Sequence, residues 1–510
     1  MSAQLNEPKI IEPLKEIKNV GERQHQTYDA KKRIWNFLLA SYRGGMGMQG
    51  RAGLDQLTDE HRKPHGYYAG LFKYPMESKD KYINRVAATP YRPYAKRIVN
   101  TFVNYVTTDE PERKNDAQFR ELYDDVNLHG TSMRDFVKSC LIMQRVIGEF
   151  NILVDMPTSD KPPVSQYHAI ASGMRPYAVP VLPHNIVDWQ IGNDGGYKWA
   201  LVEMTWTESR IDSESPVTVV RRTYYDAEVW QAYERVNDGK WILTGANVHP
   251  CGVTPIARIT SDDYDFNPET PESWFYDLAD MNRLIYNLES IDYANFENQT
   301  HGQRILPANV DDEATGKIAS VSEAWTETPE EKGISRFIQP NGIEHTTVKE
   351  KMDDVREEMF RVAGLYHRIA SRQVETAEAK RWDHEEMNQF LSAFSRTAEK
   401  IEKSVIRLAA KWQGKDGDKL EVTYRKDYAI DDLESTVAAA LDLKTIGYTS
   451  ETGRKEVIKR VYNLLVGDHV TDETMKAIYD EIDESEEEDP LLALSMAAAG
   501  NNNETPTGGE

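Results

Sequence analysis

Residues 376–412 form a stretch of 37 residues that contains neither glycine nor proline. At a rise of about 1.5 Å per residue, a helix over this stretch is roughly 55 Å long. Because a helix of this length needs partners along much of its surface, the rest of the chain is expected to be arranged around it. Its apolar side chains recur every three or four positions, as one helical face requires: Met387, Phe390, Phe394, Ala398, Ile401, Val405, Leu408 and Trp412.

Two shorter helical patterns precede this stretch. Residues 273–298 carry one apolar stripe, and residues 345–364 carry another that Gly364 is suited to end. Between them, residues 301–344 contain two short strand-like runs, ILPANV and SRFIQP, around a polar excursion at residues 311–333. The pattern predicts a helix that leads out, a small αβ element, and a helix that leads back.

Residues 176–260 have the alternation of apolar and polar residues that is typical of strands. Six runs, from AVPVL to KWILT, are separated by turn signals such as NDGG and NDGK. Upstream, helices are predicted for residues 27–43, 91–106 and 119–128. A further helix changes at Gly148 into a strand that Pro157 ends, so the sequence predicts an α+β fold in which a helix feeds an antiparallel sheet. Downstream, residues 431–480 are expected to be mostly helical, with a short helix near Glu451 and a further helix at residues 457–465.

Composition limits the possible functions of the chain. A net charge of −23 and a sequence pI near 5.1 argue against a protein that coats nucleic acid, because such binding depends on many lysine and arginine contacts to phosphate. A mean hydropathy of −0.64 and short apolar runs predict no membrane partner, and the first residues do not read as a signal peptide. The two cysteines, Cys140 and Cys251, predict neither a disulfide framework nor a zinc site.

One segment reverses this acidic character. Between residues 361 and 381 the cations outnumber Glu375 and Glu378, which suggests contact with an anion. The alternative is that these are solvated charges at helix ends, where they suit the helix dipole. The charge pattern alone favours the second interpretation. The cations are Arg361, Arg368, Arg372, Lys380 and Arg381.

We find no catalytic motif in the sequence. Gly45, Gly47 and Gly50 fit the dinucleotide pattern, but they follow a predicted helix instead of a buried strand. Residues 263–267 begin like a calcium loop, yet Pro268 stands where glycine is needed. His384 has no second histidine at metal-ligand spacing. We therefore expect a protein that is not an enzyme and needs no metal or cofactor.

Several passages of the sequence are informative through their order. In chain order they are RPYAKRIVNTFVNYV, GEFNILVD, LPHNIVDWQIG with KWALVEM, HPCGVTPIARI, the helix that includes DLADMNRLIYNLESIDYANFENQTHGQRIL, the return RFIQPNGIEHTTVKEKMDDVREEMFRVAG, and the segment VETAEAKRWDHEEMNQFLSAFSRTAEKIEKSVIRLAAKW. Over about residues 27–463 this order resembles that of the portal, or head-to-tail connector, proteins of tailed bacteriophages.

The resemblance implies a portal fold with a helical stem, an αβ wing and clip, and a mostly helical crown. The implied regions are an N-terminal arm (1–26), wing (27–270), first stem helix (271–300), clip (301–344), second stem helix (345–365), tunnel loop (366–381), long wing helix and strand (382–428), crown (429–485) and a disordered acidic, low-complexity tail (486–510).

It also implies a function. Portal subunits form a ring, normally a dodecamer, at one capsid vertex, through which double-stranded DNA is packaged and ejected. The protein would assemble in the host cytoplasm and remain in the virion. Its implied partners are the terminase large subunit, major capsid and scaffolding proteins, and head-completion or tail adaptor proteins.

The resemblance also points to two sets of site residues. The DNA-facing tunnel loop would present His367, Arg368, Arg372, Lys380 and Arg381, and the tip of the clip would dock terminase through Asp311, Asp312, Glu313, Trp325, Glu330, Glu331 and Lys332.

Two other classes stay open. A structural ring or coat subunit without a DNA-translocation role fits the apolar stripes equally well, because stripes report how helices pack and not what they are for. The other is a soluble enzyme that binds phosphate at Gly45–Gly50, and both classes rank well below the portal.

Overall fold

The computed structural model describes residues 17–45, 70–74, 77–115, 117–157, 174–209, 215–260, 272–300, 303–307, 325–327, 336–338, 343–365, 377–417, 419–426, 428, 451–466 and 472–484. The fold is α+β, as predicted, with helices and several separate sheets. The chain divides into two compact units, residues 1–427 and residues 428–510. None of the described helices is both long and apolar enough to cross a lipid bilayer.

The first unit contains eight described α-helices. In chain order they are α1 (Tyr28–Arg43), α2 (Lys79–Ala88), α3 (Tyr94–Val106), α4 (Arg120–Asp124), α5 (Met133–Ile147), α6 (Phe275–Thr300), α7 (Ile343–Val362) and α8 (Ala377–Gln413).

The described strands of this unit form four sheets. The largest is antiparallel, in the order β4 (Ile186–Ile191), β5 (Tyr197–Glu208), β6 (Val217–Tyr225), β7 (Val229–Val236) and β8 (Ile242–Val248). Central β2 (Glu149–Asp155) pairs antiparallel with β3 (Tyr177–Val181) and β9 (Ile256–Thr260). A third sheet joins β10 (Gln303–Pro307) to β11 (Trp325–Glu327) and β12 (Arg336–Ile338), and β1 (Glu112–Lys114) pairs with β13 (Glu421–Thr423).

The helical core forms where α8 packs against α3 and α5. The Phe394 ring lies 5.5 Å from the Phe102 ring and 5.6 Å from the Trp274 ring, edge to face in the second case. The Trp412 indole N–H donates to the Val154 carbonyl at 2.8 Å, which ties the end of α8 to β2. The long helix therefore links the helical part of the unit to the small sheet.

Most predicted elements are confirmed, including the 37-residue helix and all six strand runs of residues 176–260. The prediction of a helix over residues 119–128 was wrong in length, because α4 ends at Asp124 and Leu128 and Gly130 adopt positive φ in the turn that follows. The polar excursion is not free of regular structure, since β11 lies within it and pairs parallel with β10. Neither change could be seen from hydrophobic periodicity.

The second unit contains two described helices, α9 (Glu451–Val466) and α10 (Asp472–Glu484). α9 begins at Glu451, where a short helix was predicted, and continues without a break through residues 457–465, which were predicted as a separate helix. Ile458 and Ile482 form a small apolar core between the helices, and the Lys459 ammonium lies 2.7 Å from the Asp483 carboxylate.

Candidate functional site

The helices α6 and α7 pack against each other, with the sheet of β10, β11 and β12 between them in the chain. The end of α6 lies beside the beginning of α7, where His345 Nδ1 and Asp292 Oδ1 are 2.5 Å apart. We call α6, α7 and the intervening sheet the hairpin. Its two helices carry eleven carboxylates against five lysines and arginines, so its walls are acidic.

Buried polar contacts fix the first half of α6 to the N-terminal helices. Asn282, which is 1% exposed, accepts a hydrogen bond from the Ala95 N–H and donates one to the Arg92 carbonyl. The Arg92 guanidinium also lies 2.7 Å from the Glu289 carboxylate. Because an unpaired buried amide would cost free energy, these contacts select one docking position for α6.

Arg85 of α2 connects the same helix to residues 70–78. Its guanidinium donates to both Glu77 carboxylate oxygens, to the Ser290 hydroxyl of α6 and to the Phe72 carbonyl. Burial of the Glu77 carboxyl opposes its ionisation, but the hydrogen bonds and charge of Arg85 outweigh this and lower the pKa of Glu77. The network therefore ties the middle of α6, at Ser290, to α2 and to residues 70–78.

The C-terminal end of α7 is anchored in the core. Gly364 adopts φ +67°, and the Leu365 N–H donates to the Phe360 carbonyl at 2.8 Å, which closes the last turn. Met359, Ala363 and Leu365 are fully buried. Residues 366–376 lie outside the described residues, and α8 begins at Ala377.

The middle of α8 is held by Arg145 of α5. Its guanidinium carbon lies 4.2 Å from the centre of the Phe394 ring, and it donates to the Ala393 carbonyl and the Thr397 hydroxyl. This cation–π contact and its hydrogen bonds are buried, so they fix both the rotation and the position of α8 along its axis.

The predicted site residues lie mostly outside the described residues. This holds for His367, Arg368 and Arg372 of the tunnel loop and for six of the seven residues at the clip. Lys380 and Arg381 lie in the first turns of α8, and Trp325 begins β11, in each case with only the backbone described. The structure therefore defines the two ends of the predicted tunnel loop and leaves its residue assignments as predictions. The six clip residues are Asp311, Asp312, Glu313, Glu330, Glu331 and Lys332.

Sequence reasoning missed two buried ionic networks. Glu402, fully buried on α8, binds the Arg113 guanidinium at 2.7 Å and the Tyr424 hydroxyl at 2.8 Å. Glu149 of β2 lies 3.1 Å from Arg258 and 3.9 Å from Lys31, both of which are buried. No signal could have revealed these pairs, because periodicity treats Glu, Arg and Lys as surface residues wherever they occur.

Both cysteines of the chain are buried. Burial raises the pKa of Cys251 to about 12 and raises that of Cys140 further, so both thiols stay protonated. Among the residues that the structure describes, no three histidine, cysteine or acidic side chains are grouped so as to hold a metal ion. The glycine pattern begins directly after α1, which ends at Arg43, so it follows a helix as the sequence indicated. Residues 46–69 and 261–271 lie outside the described residues.

Comparison with known proteins gives a family match and a structural match. Residues 274–413 match a family described as a domain of unknown function (DUF4055). A chain from a solved structure described as "Neck of native GTA particle computed with C12 symmetry" is similar to this one at 14% sequence identity and a TM-score of 0.38, over 72% of this chain and 89% of that chain. No functionally curated protein matches.

The limits of the family match coincide with elements of the fold. It begins one residue before α6 and ends at the last residue of α8. The hairpin, the predicted tunnel loop and the long helix are therefore matched as one unit.

Proposed function

We propose that this chain is a phage head-tail structural protein and, more specifically, a portal protein. Its copies would form a ring at one capsid vertex, normally of twelve subunits, through which viral DNA is packaged and later ejected. Terminase, and later head-completion or tail adaptor proteins, would dock on the clip, while major capsid and scaffolding proteins would contact the wing. The ring would assemble in the host cytoplasm and stay in the virion.

The observation that carries this proposal is the order of elements from α6 to α8. A helix leads out from a core to which Asn282 and Arg85 tie it, a small three-stranded sheet intervenes, and a helix returns to that core. The 37-residue helix follows after fourteen residues, 363–376. This is the order of stem helix, clip, stem helix, tunnel loop and wing helix that the sequence resemblance implies.

The charge distribution supports a channel through which DNA moves without adhering. The acidic walls of the hairpin would repel phosphates, whereas the predicted tunnel loop carries His367, Arg368 and Arg372 and is followed by Lys380 and Arg381. In a ring, each of these cations is repeated once per subunit. A modest local charge thus becomes a collar that can contact the DNA backbone.

A charge-removal variant tests the DNA-facing assignment. Arg368, Arg372, Lys380 and Arg381 are changed together to alanine, and the matched control changes Lys114 and Lys419, whose side chains are 69% and 81% exposed. We expect rings to form in both cases, with packaged and retained DNA reduced roughly tenfold only in the first, since backbone contacts dominate such binding. Unchanged packaging with intact rings would favour a structural ring without a DNA-translocation role.

The clip assignment needs a variant that leaves β11 in place. Deletion of residues 312–332 would remove this strand and so disturb the three-stranded sheet. Asp311→Asn, Asp312→Asn and Glu313→Gln together keep the chain length, and Glu112→Gln with Glu421→Gln on exposed strands provides a control. We expect terminase to bind the first variant more weakly than the control. If terminase binds both variants equally well, Asp311, Asp312 and Glu313 are not part of the docking site.

A further inference from the structure

The outer strand of the five-stranded sheet, β8, is exposed along nearly its whole length. Its side chains include Ile242 at 64%, Leu243 at 45% and Val248 at 40% exposure, on an edge whose only described neighbour is β7. An exposed apolar edge is a template for pairing with another strand, and natural sheets usually protect it with a charge or a proline. Residues 242–248 contain neither.

The opposite edge of the sheet is already covered by the N-terminal segment. The His25 N–H donates to the Val187 carbonyl of β4 at 2.8 Å, and the His25 ring stacks on Trp189 at 4.0 Å. The Arg23 guanidinium lies 3.0 Å from the Asp188 carboxylate. Residues 23–25 thus lie along the β4 edge of the sheet.

Followed toward the N-terminus, residues 23 to 17 cross one face of the sheet in the direction of β8. Arg222 of β6 donates to the Val20 and Arg23 carbonyls, and the Ile17 N–H donates to the Tyr233 hydroxyl of β7 at 3.0 Å. Arg222 and Tyr233 are register partners, so they lie on one face of the sheet. The next register partner of Tyr233, across the last strand pair, is the exposed Leu243 of β8. The described path therefore runs from β4 past β6 to β7, the strand next to β8.

The residues that precede Ile17 fit this strand chemically. Residues 1–16 lie outside the described residues, and they contain the apolar pair Ile10 and Ile11 followed by Leu14. Adjacent residues of a strand point to opposite faces, so Ile10 and Ile11 can cover apolar side chains on both sides of β8. Pro8 and Pro13 flank the pair, as is compatible with an outermost strand. A strand beyond β8 lies two strand spacings of about 4.8 Å each from β7, and the three residue steps from Leu14 to Ile17 span about 10 Å when extended.

We infer that residues 8–14 of the N-terminal arm pair with β8 of their own chain as a sixth strand. The N-terminal segment would then contact both outer strands of the sheet, with His25 at β4 and Ile10 and Ile11 at β8. This interaction does not depend on the proposed portal function, because it lies within a single chain.

Hydrogen exchange tests the inference directly. Amides of residues 242–248 should exchange at least about tenfold faster in a full chain that lacks only residues 2–14 than in the intact chain, because half of the strand amides lose a partner. Exchange in α5 serves as the control for correct folding. Equal exchange of residues 242–248 in the two proteins would overturn the inference.

Point variants and a crosslink test the same pairing without the deletion, in case the deletion disturbs folding. Ile10→Asp with Ile11→Asp should reproduce the faster exchange, whereas Gln4→Asp with Asn6→Asp adds the same charge to the arm and should not. Ile11→Cys with Ala246→Cys should form a disulfide within one chain. Disulfides formed only between chains would overturn the assignment to the same subunit.

Discussion

At the scale of single residues, Glu402 illustrates how this fold uses buried charge. Its carboxylate is inaccessible to water and binds Arg113 from β1 together with the Tyr424 hydroxyl that follows β13. The contact thus joins α8 to the sheet formed by two segments about 300 residues apart in the chain. An intact buried pair adds little net stability, but loss of one partner leaves the other charge without compensation.

We predict that Glu402→Ala lowers the free energy of unfolding by about 3–5 kcal/mol, because the largely buried Arg113 then loses its buried partner and keeps only the exposed Glu110. Replacing both Glu402 and Arg113 with leucine should recover most of the lost free energy of unfolding. Glu421→Ala removes a carboxylate from an exposed pair with Lys114 and should leave stability unchanged. Denaturant titrations followed by tryptophan fluorescence measure all three, and equal effects of Glu402→Ala and Glu421→Ala would contradict the role of the buried network.

His184 should make the stability of the first unit depend on pH. Burial, with the nearby charges of Lys32 and Arg43, lowers the pKa of His184 from its usual 6.5 to about 4. The unfolded chain therefore takes up a proton first as the pH falls. The stabilisation is complete above pH 6.5 and is lost as the pH falls toward 4, by about 2 kcal/mol at pH 4.5.

The variant His184→Gln should accordingly lose less stability than the wild type between pH 7 and pH 4.5. His129 is exposed, so His129→Gln should keep the wild-type pH dependence. Thermal melting at a series of pH values gives the comparison. Parallel pH profiles for the wild type and His184→Gln would show that this histidine does not control the acid response.

At the scale of secondary-structure elements, the passage from α5 to β2 depends on one glycine. Gly148 adopts φ +92°, and a β-carbon at this position would lie 3.0 Å from the Glu272 carbonyl oxygen, just before α6. The turn therefore lets the start of the first hairpin helix approach the end of α5. The Ser273 hydroxyl, which donates to the Val146 carbonyl at 2.7 Å, holds this approach.

We predict that Gly148→Ala lowers the free energy of unfolding by about 2–3 kcal/mol, since it combines the cost of positive φ with a clash against backbone. Gly414→Ala provides a matched control. Gly414 also has positive φ, but nothing lies within 4 Å of its added carbon, so the loss should be about 1 kcal/mol. Denaturant titration compares the two, and equal losses would show that contact with Glu272 is unimportant.

The elements that sequence could predict are those whose packing follows a simple period. The helix from Ala377 to Gln413 and the strands of the large sheet each carry a stripe or an alternation that one buried face requires. The short strand β11 could not be predicted, because three residues in a polar excursion are too few for any period. The crossing of the large sheet by residues 17–25 was equally invisible, since it depends on hydrogen bonds to the backbone and on Arg222 and Tyr233.

At the scale of the whole molecule, the order of segments carried more information than any one motif. No single passage of the sequence is specific, and the structure adds that the segment from α6 to α8 is one outward and returning unit tied to a core by Asn282 and Arg85. The residues proposed to contact DNA could be suggested only by the resemblance and by their charge. Their effect depends on repetition around a ring, and a single chain cannot display that repetition.

The central claim is that copies of this chain close into a hollow ring with the hairpin projecting from it as a stalk. Electron microscopy of the purified full-length protein, with symmetry analysis of the particle images, tests this most directly. We predict hollow rings with rotational symmetry, normally twelvefold, and a central channel. Compact single subunits under conditions that promote assembly, or closed particles without a channel, would contradict the proposal.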